Sequence, residues 1–390
     1  MSLRYLTAGE SHGPALTAIL EGMPAGLPLT AEMIAADLAR RQTGTGSGDR
    51  MAIEKDSAQI LAGVMEGVTT GAPIALHIVN RDHTNWKGKP VPAYTTPRPG
   101  HADLAAAVKY GYGDIRPALE RASARETASR VAVGAVCRAF LKTFGITVGG
   151  YVASIGGHAA ALGGIPFGER LRRARASETQ CPDPAAAGLI TAAIAKAHGE
   201  GETLGGVIEV VAEGLPIGLG SHVNRDRRLD ALLGQAVLGV PAIKGVALGD
   251  AFANAGNAGT HANDAIRLIP GGSLARDTNA CGGIEGGISN GQPIWLRAAM
   301  KPIPTTRKGQ DTVDLATGRA CLTCYERSDV CPVPRAVVVL EAVVAVVLAD
   351  ALIAKLGGDS LAEMMPRFTT LRRATLDDLH MTGEPHVFWP

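Results

Sequence analysis

Three short stretches of this 390-residue chain combine residue types that move protons or hold anions. In Gly9-Glu10-Ser11-His12-Gly13-Pro14 an imidazole stands between glycines, where no bulky neighbour covers it and the backbone can approach a ligand closely. His12 is therefore a candidate proton donor. In Thr96-Pro97-Arg98-Pro99-Gly100-His101-Ala102-Asp103 two prolines stiffen the backbone around Arg98, a bidentate anion ligand, and His101, which exchanges a proton near neutral pH. In Arg121-Ala122-Ser123-Ala124-Arg125-Glu126-Thr127 the four-residue spacing of Arg121 and Arg125, and of Ser123 and Thr127, would project each pair from one side of a helix. Two guanidiniums and a hydroxyl near a helix start make a phosphate cradle. Taken singly, the three also read as a turn histidine, a stiff surface loop and a solvated Arg/Glu face.

The elements that must position these residues follow from periodicity and caps. Thr30 precedes a helical pattern from Ala31 to Arg41 in which Ile34 and Leu38 share a face and Glu32 sits in the positive first turn, so the helix delivers Arg40 and Arg41 at its end. A second helix is expected from about Glu120 to Phe144, stopped by Gly145, with Val131, Ala135 and Leu141 among its apolar positions. The most apolar stretch, 336–352, is interrupted by Glu341 and Asp350 and reads as a buried helix.

Gly and Pro are spread along the chain and no low-complexity segment divides it, which predicts a single domain over residues 1–390. One long-range regularity stands out. Glu21-Gly22-Met23-Pro24-Ala25-Gly26-Leu27 returns as Glu213-Gly214-Leu215-Pro216-Ile217-Gly218-Leu219, each copy after a strand-like run and before a helical pattern, so two similar lobes are expected to start near 15 and 207. The same motif is also ordinary turn chemistry.

Composition excludes several classes. With 46% hydrophobic residues the chain buries a large core, and 38 Lys+Arg against 37 Asp+Glu leave a net charge of +1, so no global field steers it to nucleic acid or anionic lipid. Aromatics at 4% argue further against a single-strand binder. Any anion site must be local. The first residues lack the regions of a signal peptide and six cysteines are too sparse for a disulfide scaffold, which together predict a reducing cytoplasm. Cys321-Leu322-Thr323-Cys324 has half the spacing of a zinc knuckle or redox pair, but no second pair follows, so no metal is expected. No G-x-G-x-x-G follows a first strand, which argues against a nicotinamide dehydrogenase.

The three opening motifs resemble the chorismate synthase family. So do Arg40-Arg41-Gln42, Gly44-Thr45-Gly46-Ser47-Gly48-Asp49-Arg50-Met51, Asn80-Arg81-Asp82, Lys244-Gly245-Val246, the glycine-rich 282–291 segment, Lys301-Pro302 and Arg327-Ser328-Asp329, in order and spacing from Arg4 to about Asp359. The resemblance implies an α+β fold, a β-α-β sandwich with helices between two antiparallel sheets and a pseudo-twofold repeat, assembled as a homotetramer. It implies a lyase that makes chorismate from 5-enolpyruvylshikimate 3-phosphate by 1,4-elimination of phosphate and a ring hydrogen, with reduced FMN required. The ring hydrogen is not acidic, so a cofactor must carry the electron chemistry.

By the same resemblance His12, His101 and Asp329 are catalytic: the histidines act on the reduced flavin and the departing phosphate, and Asp329 works with flavin N5 on the ring proton. FMN would be held by Arg121, Ala122, Ser123, Pro241, Ala242, Gly286, Lys301, Pro302, Ile303, Pro304, Thr305 and Arg327. The substrate would be held by Arg41, Arg50, Arg98, Arg125 and Arg327. NADP(H) would meet Arg41 and position 47, where many relatives carry an arginine and Ser47 cannot supply the charge; the resemblance leaves open whether the chain reduces its own flavin with NADPH. The alternative from a different class is a non-catalytic descendant that binds FMN or a phosphorylated sugar acid.

Overall fold

Alternation of apolar and polar residues builds the sheets, because successive side chains of a strand point to opposite faces. Leu16, Ala18 and Leu20 of strand Ala15–Glu21 and Ile74, Leu76 and Ile78 of strand Ile74–Val79 are all buried on one face. The computed structural model describes residues 2–46, 55–326 and 328–389. One sheet has the order Arg4–Ala8, Ala15–Glu21, Ile74–Val79, Ala58–Ala62, and every pairing is antiparallel. The other runs Ile243–Leu248, Ile294–Met300, Gly206–Glu213, Thr147–Ile155 and the short His158–Ala159, also antiparallel throughout.

Helices Ala31–Gln42 and Thr127–Thr143 pack on the first sheet, Leu229–Leu238 and Val333–Leu356 on the second, and the four pack on one another. This is the expected α+β sandwich with a helical middle layer. Val333–Leu356 is long and apolar enough to cross a membrane, yet 78% of its most apolar stretch is buried against protein, so it is the core helix of the sandwich. Of its two carboxylates, Asp350 accepts from the Leu3 amide, whereas Glu341 is fully buried and accepts from both Arg40 terminal nitrogens (2.7 and 2.9 Å), from Arg138 Nη1 (3.2 Å) and from the Gly150 amide (2.8 Å). Burial alone would raise the Glu341 pKa; the Arg40 bonds outweigh that and hold the carboxyl below its usual range. This knot fixes the end of helix Ala31–Gln42, and so the start of the Arg41 side chain, to the core.

The two halves share one plan. Leaving aside inserted elements, such as helices Asp103–Tyr110 and Arg116–Arg121 in the first half and Phe167–Arg175 and Pro184–Glu200 in the second, each reads strand, strand, helix, strand, strand, helix, and each main sheet has its strands in the order first, second, fourth, third of its half. The turn motif behaves identically in both copies: Gly22 and Gly214 have φ of 89° and 81°, and a Cβ there would strike the carbonyl of Ser2 or of Gly145, each just before its half's first strand. Thr69 Oγ1 accepts from Leu27 N and donates to Pro24 O; Ser289 Oγ accepts from Leu219 N and donates to Pro216 O. Those bonds expose a second internal match, Gly63-Val64-Met65-Glu66-Gly67-Val68-Thr69-Thr70-Gly71-Ala72-Pro73-Ile74 against Gly283-Ile284-Glu285-Gly286-Gly287-Ile288-Ser289-Asn290-Gly291-Gln292-Pro293-Ile294. The recurring motif is a structural repeat and more than common turn chemistry.

One helix differs from expectation. In place of a continuous 120–144 helix there are Arg116–Arg121, a 3-10 turn at Ala124–Glu126, and Thr127–Thr143. Ser123 between them is extended (φ −64°, ψ 145°) and its Oγ accepts from the Arg125 amide, a local bond that competes with helix continuation. Arg121 and Arg125 therefore do not share a helix face. The break turns the 121–125 backbone outward, toward the N-terminal loop and the cavity described next.

Candidate active site

The break and the N-terminal loop are stitched together. Asn80 Nδ2 donates to the carbonyls of Glu10 (3.1 Å) and Gly13 (2.8 Å), while its Oδ1 accepts from Arg125 Nε (2.8 Å). Arg121 Nη2 donates to the Thr7 carbonyl (2.9 Å), and Ser123 Oγ to Ser11 Oγ (3.1 Å). Between these segments, the Arg98–Asp103 loop and the 239–244 and 301–305 segments lies a cavity of about 790 Å³, within the range of small-ligand sites.

His12, His101 and Asp329 all line this cavity. Each histidine is held through Nδ1 by a carboxylate, and the Arg98 guanidinium also lies against the His101 ring, its Nη2 3.1 Å from Nδ1 and 3.4 Å from Nε2. His12 Nδ1 lies 2.6 Å from Glu120 Oε1, and Glu120 Oε2 also accepts from the His12 amide (2.7 Å). The His12 ring packs on Trp86 with centroids 4.2 Å apart, and Trp86 Nε1 donates to Asp82 (3.3 Å). His101 Nδ1 pairs with Asp103, which also receives Arg98 through Nε (2.8 Å) and Nη2 (3.1 Å). Burial pushes the Asp103 and Glu120 carboxyls up, but the bonds from their histidines, and for Asp103 from Arg98, prevail and hold both below the usual carboxylate range.

The cavity is strongly cationic. Among the described residues, eight Lys and Arg side chains line it against three carboxylates, in a chain whose net charge is +1. Arg41 is buried, donating through Nε to Thr127 Oγ1 (3.0 Å) and through Nη2 to the Ala124 carbonyl (2.8 Å). The fully buried Asp56 bridges the two arginines, 2.6 Å from Arg125 Nη1 and 3.5 Å from Arg41 Nη1. Burial, and next the nearby Arg335 charge, push Arg41 down to about 10. At another part of the wall Lys301 Nζ donates to the Gly100 carbonyl (2.6 Å), and burial with the charge of Lys244 lowers its pKa. Leu238, Val240, Ile243, Ile303 and Pro304 supply apolar wall beside these cations. Ala242 takes a left-handed φ of 66°, a conformation costing a non-glycine residue on the order of 1–2 kcal/mol and often found at ligand sites.

The cavity thus gathers Arg41, Arg98, Arg121, Ala122, Ser123, Arg125, Pro241, Ala242, Lys301, Ile303, Pro304 and Thr305 from segments far apart in sequence. Pro302 is not on its wall, and Gly286 sits at the turn of the hairpin Ile284–Glu285 and Ile288–Ser289, away from it. Ser47, Arg50 and Arg327 lie outside the described residues; Gly46, next to the first of these, has its carbonyl bonded to the Val330 amide (3.0 Å), beside Asp329. Residues that sequence reasoning missed are Asp56, Trp86, Arg130 and Arg335. Arg335 carried a signal: it is a lone cation at the start of the most apolar run in the chain. Cys321 and Cys324 are free thiols off the cavity wall.

Concentrated guanidiniums, apolar wall and proton-transfer groups held by buried carboxylates define an enzyme for a small polyanionic substrate. Comparison with known proteins narrows the class. The family model for chorismate synthase matches residues 3–353. Chorismate synthase of Geobacter metallireducens is 52% identical over 379 residues, covering 93% of this chain and 96% of the relative. That of Prosthecochloris aestuarii is 48% identical over 387 residues, covering 95% and 98%. A crystal structure of chorismate synthase superposes with a TM-score of 0.78 at 44% identity, over 95% of this chain and 97% of that one. The chain belongs to the chorismate synthase family, lyases that form chorismate in aromatic amino acid biosynthesis.

Proposed function

We propose that the chain converts 5-enolpyruvylshikimate 3-phosphate to chorismate and phosphate by 1,4-elimination, with reduced FMN as its required cofactor. The observation that carries this reading is the single cavity in which two carboxylate-held histidines and Asp329 stand among an excess of cations. The substrate has two carboxylates and a phosphate and FMN adds another phosphate, so the charge of the wall matches the load. Arg121, Ala122, Ser123, Pro241, Ala242, Lys301, Ile303, Pro304 and Thr305 would hold FMN, their mixture of cations and apolar surface suiting a phosphate and a flat ring system. Reduced FMN, when bound, supplies the electron chemistry for breaking a C–H bond of low acidity.

The chain's own residues bind, orient and move protons. Arg41, Arg98 and Arg125 bind the substrate anions, preorganised by Asp56, Asp103 and Asn80. His101, oriented by Asp103, offers a proton from Nε2 to the leaving phosphate; His12, oriented by Glu120, holds a proton at the flavin side; Asp329 accepts the ring proton on its carboxylate. NADPH is the external reductant in this reading, and Ser47 weakens any direct contact with it. The outer face of the first sheet exposes Leu6, Ile19, Leu61 and Val79, apolar surface suited to burial between copies, which supports assembly of the chain into a homotetramer.

Purified protein supplied anaerobically with reduced FMN and the enolpyruvyl substrate should form chorismate at a rate that vanishes when flavin is withheld. Binding of both ligands without product would overturn the reading in favour of a non-catalytic binder.

A further inference from the structure

Most arginines of the cavity wall spend their donors on protein acceptors. Arg98 is used by Asp103 and Thr305, Arg41 by Thr127, Ala124 and Asp56, and Arg130 by Glu126 and the Gly239 carbonyl. Arg335 differs. It stands in the first turn of the core helix Val333–Leu356, is 9% exposed and forms part of the wall. Its Nη2 donates to Asp329 Oδ2, while its Nη1 is buried without a hydrogen-bond partner among the described residues. Buried donors are nearly always satisfied, and a vacant one on a charged group is expensive, so its presence on a ligand cavity marks a partner that arrives with the ligand.

We propose that Arg335 is a binding residue for an oxyanion of the substrate, held in place for that task by Asp329. The inference rests on the lyase reading above and adds to it a cation that no motif pointed to. The local charge favours it: among the described residues Arg41, Arg125 and Arg335 face Asp56 and Asp329, three cations against two carboxylates, and the Arg335 charge already lowers the Arg41 pKa. An arriving anion restores the balance. Because one guanidinium then bridges substrate and Asp329, it also fixes the carboxylate that takes the ring proton relative to the ring.

The test uses the full chain with three variants, Arg335→Lys, Arg335→Gln and Arg335→Met, and reads substrate KM, kcat, FMN affinity and the shift in melting temperature caused by inorganic phosphate. One charged hydrogen bond lost should raise substrate KM roughly 10- to 100-fold in Gln and Met, with Lys recovering part and FMN affinity changing by less than about twofold. If the oxyanion is the phosphate, phosphate protection disappears too; if it is a carboxylate, phosphate protection persists while KM still rises. An unchanged KM, or a parallel fall of kcat, FMN affinity and melting temperature in all three variants, overturns the proposal. A wild-type chain that forms no chorismate sinks the lyase reading instead, and then only loss of phosphate protection in the variants sustains Arg335 as an anion ligand.

Discussion

Asp56→Asn isolates the electrostatic design of the site, because the substitution is nearly isosteric and removes one buried negative charge from between Arg125 Nη1 at 2.6 Å and Arg41 Nη1 at 3.5 Å. Both guanidiniums are almost fully buried, so neither is rescued by water. Removing one partner of a buried ion pair typically costs about 3–5 kcal/mol, since the charge left behind keeps its desolvation penalty. With an unfolding entropy of roughly 2.1 cal/mol/K per residue, that becomes a fall in melting temperature of about 4–6 °C for a chain of this length. Differential scanning calorimetry at neutral pH measures it, and steady-state assay of the same protein should show substrate KM raised at least about tenfold as the two arginines lose their common anchor. The Arg125→Met change adds a control: the double variant should be less destabilised than the sum of the singles by about 1 kcal/mol or more. Equal melting temperatures and equal KM for Asp56→Asn and the parent would refute the reasoning.

Three further outcomes follow from other parts of the structure. Gly134→Ala would place a Cβ 2.5 Å from the Ala342 Cα where the two central helices cross, so the variant should lose about 1–3 kcal/mol in urea denaturation; an unaffected midpoint would contradict a close-packed crossing. Asp103, Glu120 and Glu341 are all held below their usual range, so each contributes stability that is present above the unfolded carboxylate values near pH ~4 and is lost as pH falls through the folded ones. Urea midpoints should therefore drop steeply below about pH 4, with a shallower drop for Glu341→Gln; identical slopes would remove Glu341 from the account. His101→Ala should leave FMN bound and slow turnover by roughly 10²-fold, and Asp103→Asn should reproduce much of that loss, whereas unchanged turnover would reduce His101 to a loop residue.

Much of this arrangement was legible before any coordinates. The sandwich and the lyase class came through the family resemblance, and His12, His101, Asp329 and the arginines 41, 98, 121 and 125 do meet at one cavity. The turn repeat was visible at Gly22 and Gly214, whereas its companion at 63–74 and 283–294 was obscured because only the glycines and the Pro-Ile ending coincide while the residues between have drifted. The break at Ser123 escaped periodicity because a side-chain bond to the Arg125 amide, worth about as much as one helical bond, decides it locally. Asp56 was invisible for another reason: in Lys55-Asp56-Ser57 nothing local marks it, and its partners lie 15 and 69 residues away. Arg335 shows the converse, a residue whose oddity in an apolar helix could have been noticed but whose meaning depends on Asp329 and the cavity beside it.

The central claim is that one cavity brings a reduced flavin and a phosphorylated ring compound together and completes an elimination with no net redox change. Anaerobic single-turnover mixing of the protein and reduced FMN with limiting substrate, quenched and resolved by chromatography, tests it directly. The account predicts one chorismate and one phosphate per substrate consumed, with all the flavin still reduced at the end. Phosphate released without chorismate, or flavin oxidised in proportion to product, would contradict it.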